Sequence, residues 1–197
     1  DAVAAIPPFY FSHNEAAIIA HYEALVKSVK LPVFAYNNPK ASGFLITPRI
    51  AVDLAKVGLA GMKDSCANIV SWMETKDTVK RAGFDDFEMI IGTQALWAPA
   101  ALFGAKAMIS GLANVYPELV VDFYETTIKE GIEAAAKIQP SILRARGVTR
   151  IGPTVPTCHA ILELRGVEAG FPRKPFQPIS DAEKECVRKA LVAEGLL

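Results

Sequence analysis

Leu31-Pro-Val-Phe-Ala-Tyr36, running straight into Asn37-Asn38-Pro39, is a short apolar run with an abrupt stop. A run of this length reads as a buried strand, and Pro39 ends it because proline brings no amide hydrogen to a ladder. On either side the same alternation recurs. Val3–Ile6 is an earlier apolar run, and Ser12-His-Asn-Glu15 then reads as a capping box opening a helix to about Lys30. Thr47-Pro48 sets a cap before a proline at the first helical position, predicting a helix to about Val57. Leu59–Met62 ends at Lys63; Ile69–Arg81 reads as a helix closed by Gly83. Phe87–Ile91, a helix over Gln94–Phe103 and a fifth run at Ala107–Ser110 complete five β-then-α units.

Such units mean parallel strands with helices outside, in a doubly wound open sheet or a (β/α)8 barrel. From Pro117 onward the pattern is helical only: Pro117–Ala136, an interruption at Pro140 with Ser141–Arg146 resuming, Val155–Leu164, and a helix from the Ser180-Asp-Ala-Glu183 capping box to Ala193. A barrel needs about 250 residues, so the expectation is residues 1–115 as the last five units, residues 116–197 as a final barrel helix with extra C-terminal helices, and about three N-terminal units absent from this sequence.

Composition narrows the function. The 197 residues carry 21 Lys plus Arg and 21 Asp plus Glu, a net charge of zero. Nucleic acid and anionic membranes demand a basic surface, so neither is expected as partner. Hydrophobic residues make up 51%, enough for a core, yet no apolar run approaches a membrane span. Cys66, Cys158 and Cys186 are odd in number and form no C-x-x-C pair, which fits a reducing, cytoplasmic setting and no structural metal. His13, His21 and His159 fall on helices or a helix lead-in and read as structural or surface residues.

The chemistry gathers at the carboxyl ends of the strands. A lysine there, as at Lys63, is partly desolvated; desolvation favours the neutral amine, which attacks a ketone to give a Schiff base. The alternative is a lysine snorkelling out of a strand end. Tyr36 ends the preceding strand, and sequential parallel strands are usually neighbours about 4.8 Å apart. The two side chains can therefore meet, with the phenol as a proton shuttle or as an aromatic that packs locally.

The segments Tyr36-Asn-Asn-Pro-Lys-Ala-Ser-Gly43, Gly61-Met-Lys-Asp-Ser65, Ile109-Ser110 with Asn114, and Phe171-Pro-Arg-Lys-Pro-Phe176 resemble the dihydrodipicolinate synthase / N-acetylneuraminate lyase family, in order and spacing along the whole chain. The resemblance implies a (β/α)8 barrel and a class I lyase in which Lys63 forms the Schiff base with pyruvate or another 2-oxo acid, with no cofactor or metal. It implies Tyr36 as proton relay, and Tyr10 of Pro8-Phe9-Tyr10 as the aromatic that enters a neighbouring subunit's site in a homo-oligomer, a tetramer or dimer. Ile109 matches a position whose backbone lies beside the lysine.

Three departures stand out. The synthases carry, two residues after the proline, an arginine that grips the aldehyde's carboxylate; here that position is Ala41, and Lys40 cannot copy a bidentate fork. Gln94 stands where an aspartate is common, with Trp97 close behind, and the Gly-x-Thr-Gly-Glu loop has no counterpart. The expected partners are a small 2-oxo acid and an aldehyde, and the expected activity is an aldolase or dehydratase on a 2-keto-3-deoxy acid. The alternatives are dihydrodipicolinate synthase in lysine biosynthesis, and a non-catalytic barrel that binds a 2-oxo acid.

Overall fold

A computed structural model describes all residues, 1–197. It divides into two compact units, residues 1–109 and 110–197.

The first unit is α/β. Its strands β1 (Val3–Ala5), β2 (Val33–Asn37), β3 (Gly61–Asp64) and β4 (Glu88–Ile91) form one parallel sheet in chain order. Between them lie α1 (Glu15–Ser28), the single turn α2 (Pro39–Ser42), α3 (Pro48–Lys56) and α4 (Ile69–Arg81); a 3-10 turn, Gln94–Leu96, leads into α5 (Trp97–Leu102). The expected parallel sheet with helices is present, but with four strands. The fifth apolar run contributes one bridge, Ile91 with Met108, held by the Ile91 amide to the Ala107 carbonyl and the Ile109 amide to the Ile91 carbonyl.

Side-chain alternation splits the sheet into two faces. Val33, Ala35 and Asn37, Met62 and Asp64, and Met89 and Ile91 are buried, whereas Phe34, Tyr36, Lys63 and Ile90 are only half-buried. Ile18 and Tyr22 of α1, Ile50 and Leu54 of α3 and Trp72 of α4 are almost completely excluded from solvent and complete the core on the first face. Tyr22 also donates its hydroxyl to the Ala5 carbonyl at 2.8 Å, so its polar end is satisfied.

Gly61 is where β3 meets both neighbours. A Cβ there would sit 2.2 Å from the Glu88 carbonyl oxygen and 2.5 Å from the Phe34 ring. Because the first obstacle is backbone, Gly61→Ala is expected to lower stability by about 1–3 kcal/mol, the usual cost of overpacking. A urea midpoint equal to wild type would contradict this.

Two helix signals read differently in three dimensions. Ser12 does not cap α1: Asn14 does, its Oδ1 accepting from the Ala17 amide at 2.9 Å, while Glu15 reaches across to Arg49 instead of back to Ser12. In the second unit Pro140 does not break its helix. The break is at Gly131, whose φ of 93° belongs to the left-handed region, and it separates α6 (Pro117–Lys129) from α7 (Ile132–Val148). Proline removes one helical hydrogen bond, and the buried side of α7 (Ala135, Ile142, Ala145, Val148) holds the helix together around it. Then follow α8 (Thr154–Leu164) and α9 (Asp181–Ala193), the latter opened by the capping box of Ser180 and Glu183. No helix is long and apolar enough to cross a membrane.

Candidate active site

Tyr36 pairs with Lys63 in the β2–β3 register, and Lys63 with Ile90 in the β3–β4 register. All three sit one residue before their strands end, on the half-buried face. The register therefore brings Tyr36 and Lys63 side by side, and the Lys63 Nζ lies 3.6 Å from the centroid of the Tyr36 ring. The amine thus faces the electron-rich side of the ring, in cation–π geometry.

The phenol is surrounded by polar groups. Asn38 Nδ2 approaches its oxygen at 3.4 Å. Burial pushes the Tyr36 pKa up, but hydrogen bonding from Lys63 and Ser65, the Lys63 charge and the Asn38 amide together outweigh burial and hold it below the ordinary value of 10.0. Ser65 is a member of the site that the strand-end argument for Tyr36 and Lys63 does not name. The signal was available: residues two apart on a strand share a face, so Ser65 continues the line of Lys63. Gly92, just past β4, makes room for it, since a Cβ there would lie 2.0 Å from the Ser65 Oγ. The neighbouring thiol is set apart: burial, then the charge and hydrogen bonding of Asp64, push Cys66 up to about 12, so at neutral pH it is no rival nucleophile to the amine.

The remaining expected residues are placed elsewhere along this edge. Tyr10 and Ala41 do come together, lining a cleft of about 300 Å³ with His13 and Phe44. Tyr10 is 88% exposed, stacks edge-on against Phe11, and holds a backbone φ of 82°. That region is strained for a bulky side chain. Ile109 is exposed and tied to the sheet through its amide. Gln94 is almost fully buried at the start of its 3-10 turn. A larger concavity, of about 680 Å³, belongs to the second unit, where Arg165 stacks on Tyr116 and pairs with Glu118; no expected site residue lines it. His21 packs edge-on against Tyr22, and His159 contacts the Gly170 carbonyl. No three His, Cys, Asp or Glu side chains gather in a metal-binding cluster.

A parallel sheet with outer helices, bearing an amine and a phenol at the carboxyl ends of adjacent strands, is the architecture of a (β/α)-barrel segment with its polar edge where barrels keep their chemistry. The chain belongs to the dihydrodipicolinate synthetase family, whose model matches residues 1–194. It is 30% identical to a DapA-like lyase of Halobacterium salinarum, across 100% of this chain and 64% of that protein. It is 29% identical to the 4-hydroxy-tetrahydrodipicolinate synthase of Archaeoglobus fulgidus, across 100% of this chain and 67% of that one. Among solved structures, YagE, an Escherichia coli K12 prophage protein of the same family in complex with pyruvate, superposes with a TM-score of 0.89 at 25% identity, over 100% of this chain and 67% of YagE. A 2-keto-3-deoxygluconate aldolase of Sulfolobus solfataricus shares the fold, with a TM-score of 0.84 at 24% identity over 96% of this chain and 63% of that one. The chain thus spans roughly two thirds of the length of the relatives it matches.

Proposed function

We propose that this chain carries the Schiff-base site of a class I lyase acting on pyruvate or a 2-keto-3-deoxy acid. The observation that carries the reading is the Lys63 amine held 3.6 Å over the Tyr36 ring at the carboxyl ends of two adjacent parallel strands. Membership of the family and the pyruvate complex of YagE support it.

The chemistry follows from these groups. The neutral Lys63 amine adds to the C2 ketone; proton transfer and loss of water leave a protonated imine. In the cleavage direction Tyr36, as phenolate, takes the proton from the C4 hydroxyl. The C3–C4 bond breaks, its electrons flow into the imine, and C4 departs as an aldehyde. Protonation of the resulting enamine at C3 and hydrolysis of the imine return pyruvate and the free lysine. No step calls on a cofactor or metal.

The cleft shared by Tyr10 and Ala41 fits the acceptor end. Ala41 is exposed and offers no cation to a carboxylate, which favours a sugar-acid-type substrate over an aldehyde bearing a carboxylate. The second reading, 4-hydroxy-tetrahydrodipicolinate synthase, is favoured by relatives of that name. Tyr10, strained and almost fully exposed, has the form of a side chain held out to a partner, and with it the reading includes a homo-oligomer. The free thiols of Cys66, Cys158 and Cys186 fit a cytoplasmic setting.

Trapping tests the central step. With pyruvate and borohydride, peptide mass spectrometry is expected to show one reduced pyruvate on Lys63. Folded protein that gains no adduct with pyruvate would point to the non-catalytic binding reading or to a larger 2-oxo acid as the substrate.

A further inference from the structure

Behind Tyr36 and Lys63, on the opposite face of the sheet, lie Asn37 and Asp64, also partners in register. Each is 1% exposed. Asn37 Nδ2 donates to Asp64 Oδ2 at 3.0 Å and to the Ile46 carbonyl at 3.2 Å, while its Oδ1 accepts from the Ile46 amide at 3.1 Å. Asp64 Oδ1 accepts from the Cys66 amide at 2.7 Å. The amide's orientation is fixed by these partners, because the Ile46 amide can only donate and the carboxylate can accept. The backbone repeats the closure: the Ser65 amide donates to the Asn37 carbonyl at 2.9 Å, and the Gly92 amide to the Asp64 carbonyl at 2.6 Å.

The two side chains thus join the end of β2, the end of β3, the turn after Lys63 and the segment that enters α3. Strand ends normally fray, since their ladders stop. Here the last rung is closed by a buried carboxylate–amide pair, and the residues one step back on the other face are the phenol and the amine. We propose that Asn37 and Asp64 are positioning residues: a latch that fixes the amine-over-phenol geometry of Lys63 and Tyr36. In its consequence for turnover the inference rests on the functional reading above.

The donor and acceptor pattern provides the test. Asp64→Asn cannot satisfy both neighbours, because turning its oxygen to the Cys66 amide points its NH2 at the Asn37 NH2, and the reverse turn faces the Cys66 amide. Asn37→Asp sets two carboxylates against each other. The exchange Asn37→Asp with Asp64→Asn restores the bond with its direction reversed, and replaces the donation to the Ile46 carbonyl with a carboxylate oxygen that faces it. In the full protein, each single variant is expected to raise the ultraviolet titration midpoint of Tyr36, assigned by difference from Tyr36→Phe, and to slow turnover on the order of 10–100-fold, as small misplacements of reacting groups do. The double variant is expected to recover part of both, since the strand-to-strand bond returns while the Ile46 carbonyl loses its donor.

Single variants that fold and leave the Tyr36 titration at its wild-type midpoint would overturn the latch. So would a double variant no better than either single one, and this second comparison holds even where a single variant folds poorly. Failure of the functional reading looks different: wild-type protein gains no pyruvate adduct on Lys63, while the Tyr36 midpoint still answers to the exchange, which upholds the latch as a device of geometry.

Discussion

Replacing Lys63 with methionine is expected to remove the borohydride-trapped adduct completely and to lower turnover on the order of 10⁴-fold or more, the scale seen when a covalent nucleophile is deleted. Methionine has a similar length and no amine, and the half-buried position asks for little else. The fold is expected to survive, because the lysine makes its close contact with the face of the Tyr36 ring, which a thioether can also pack against. Two measurements check this together: the adduct on the peptide containing residue 63, and an unfolding midpoint near wild type. A methionine variant retaining a tenth of the turnover would remove Lys63 from the mechanism.

Tyr36→Phe is expected to cost roughly 10²–10⁴-fold in turnover, the contribution of a positioned acid–base group, while pyruvate still adds to Lys63. The pH dependence gives the sign. Cleavage needs the phenolate, so turnover rises with pH through the phenol's pKa. Since Lys63, Ser65 and Asn38 hold that pKa below 10.0 against the opposing effect of burial, the rise falls below pH 10 in the wild type. In the phenylalanine variant the phenol's contribution to this limb disappears. A variant that keeps the wild-type limb would assign the proton transfer to another residue.

Both residues are legible in the sequence, because apolar runs ending in Tyr36 and Lys63 are strand signals and sequential parallel strands sit side by side. The helices Pro48–Lys56 and Ile69–Arg81 were legible for local reasons, a capped start and a defined stop. Elsewhere local signals misled. Ala107–Ser110 looks as much like a strand as its predecessors, but the number of ladder bonds a run makes depends on its neighbour, and Met108 alone forms a bridge. Pro140 masks Gly131 because proline is the stronger punctuation in a sequence, whereas a helix with a buried face tolerates one missing bond. The juxtaposition of Asn37 with Asp64 follows from the same register as that of Tyr36 with Lys63, but its closure was not legible, because the Ile46 and Cys66 backbone groups that complete it come from loops with no periodic signal. Ser65 is readable from strand alternation, two places on from Lys63.

Gly92 has a bearing on how this edge can change over generations. A side chain at 92 would collide with the Ser65 hydroxyl and with the backbone of Asp64. Giving up the serine would not open position 92, because the Asp64 carbonyl still bars a Cβ there, and any lineage that enlarges residue 65 leans on the absence of a side chain at 92. Position 92 is thus closed to side chains by main chain as well as by the serine, and changes of substrate through Ser65 must be made with residue 92 held as glycine.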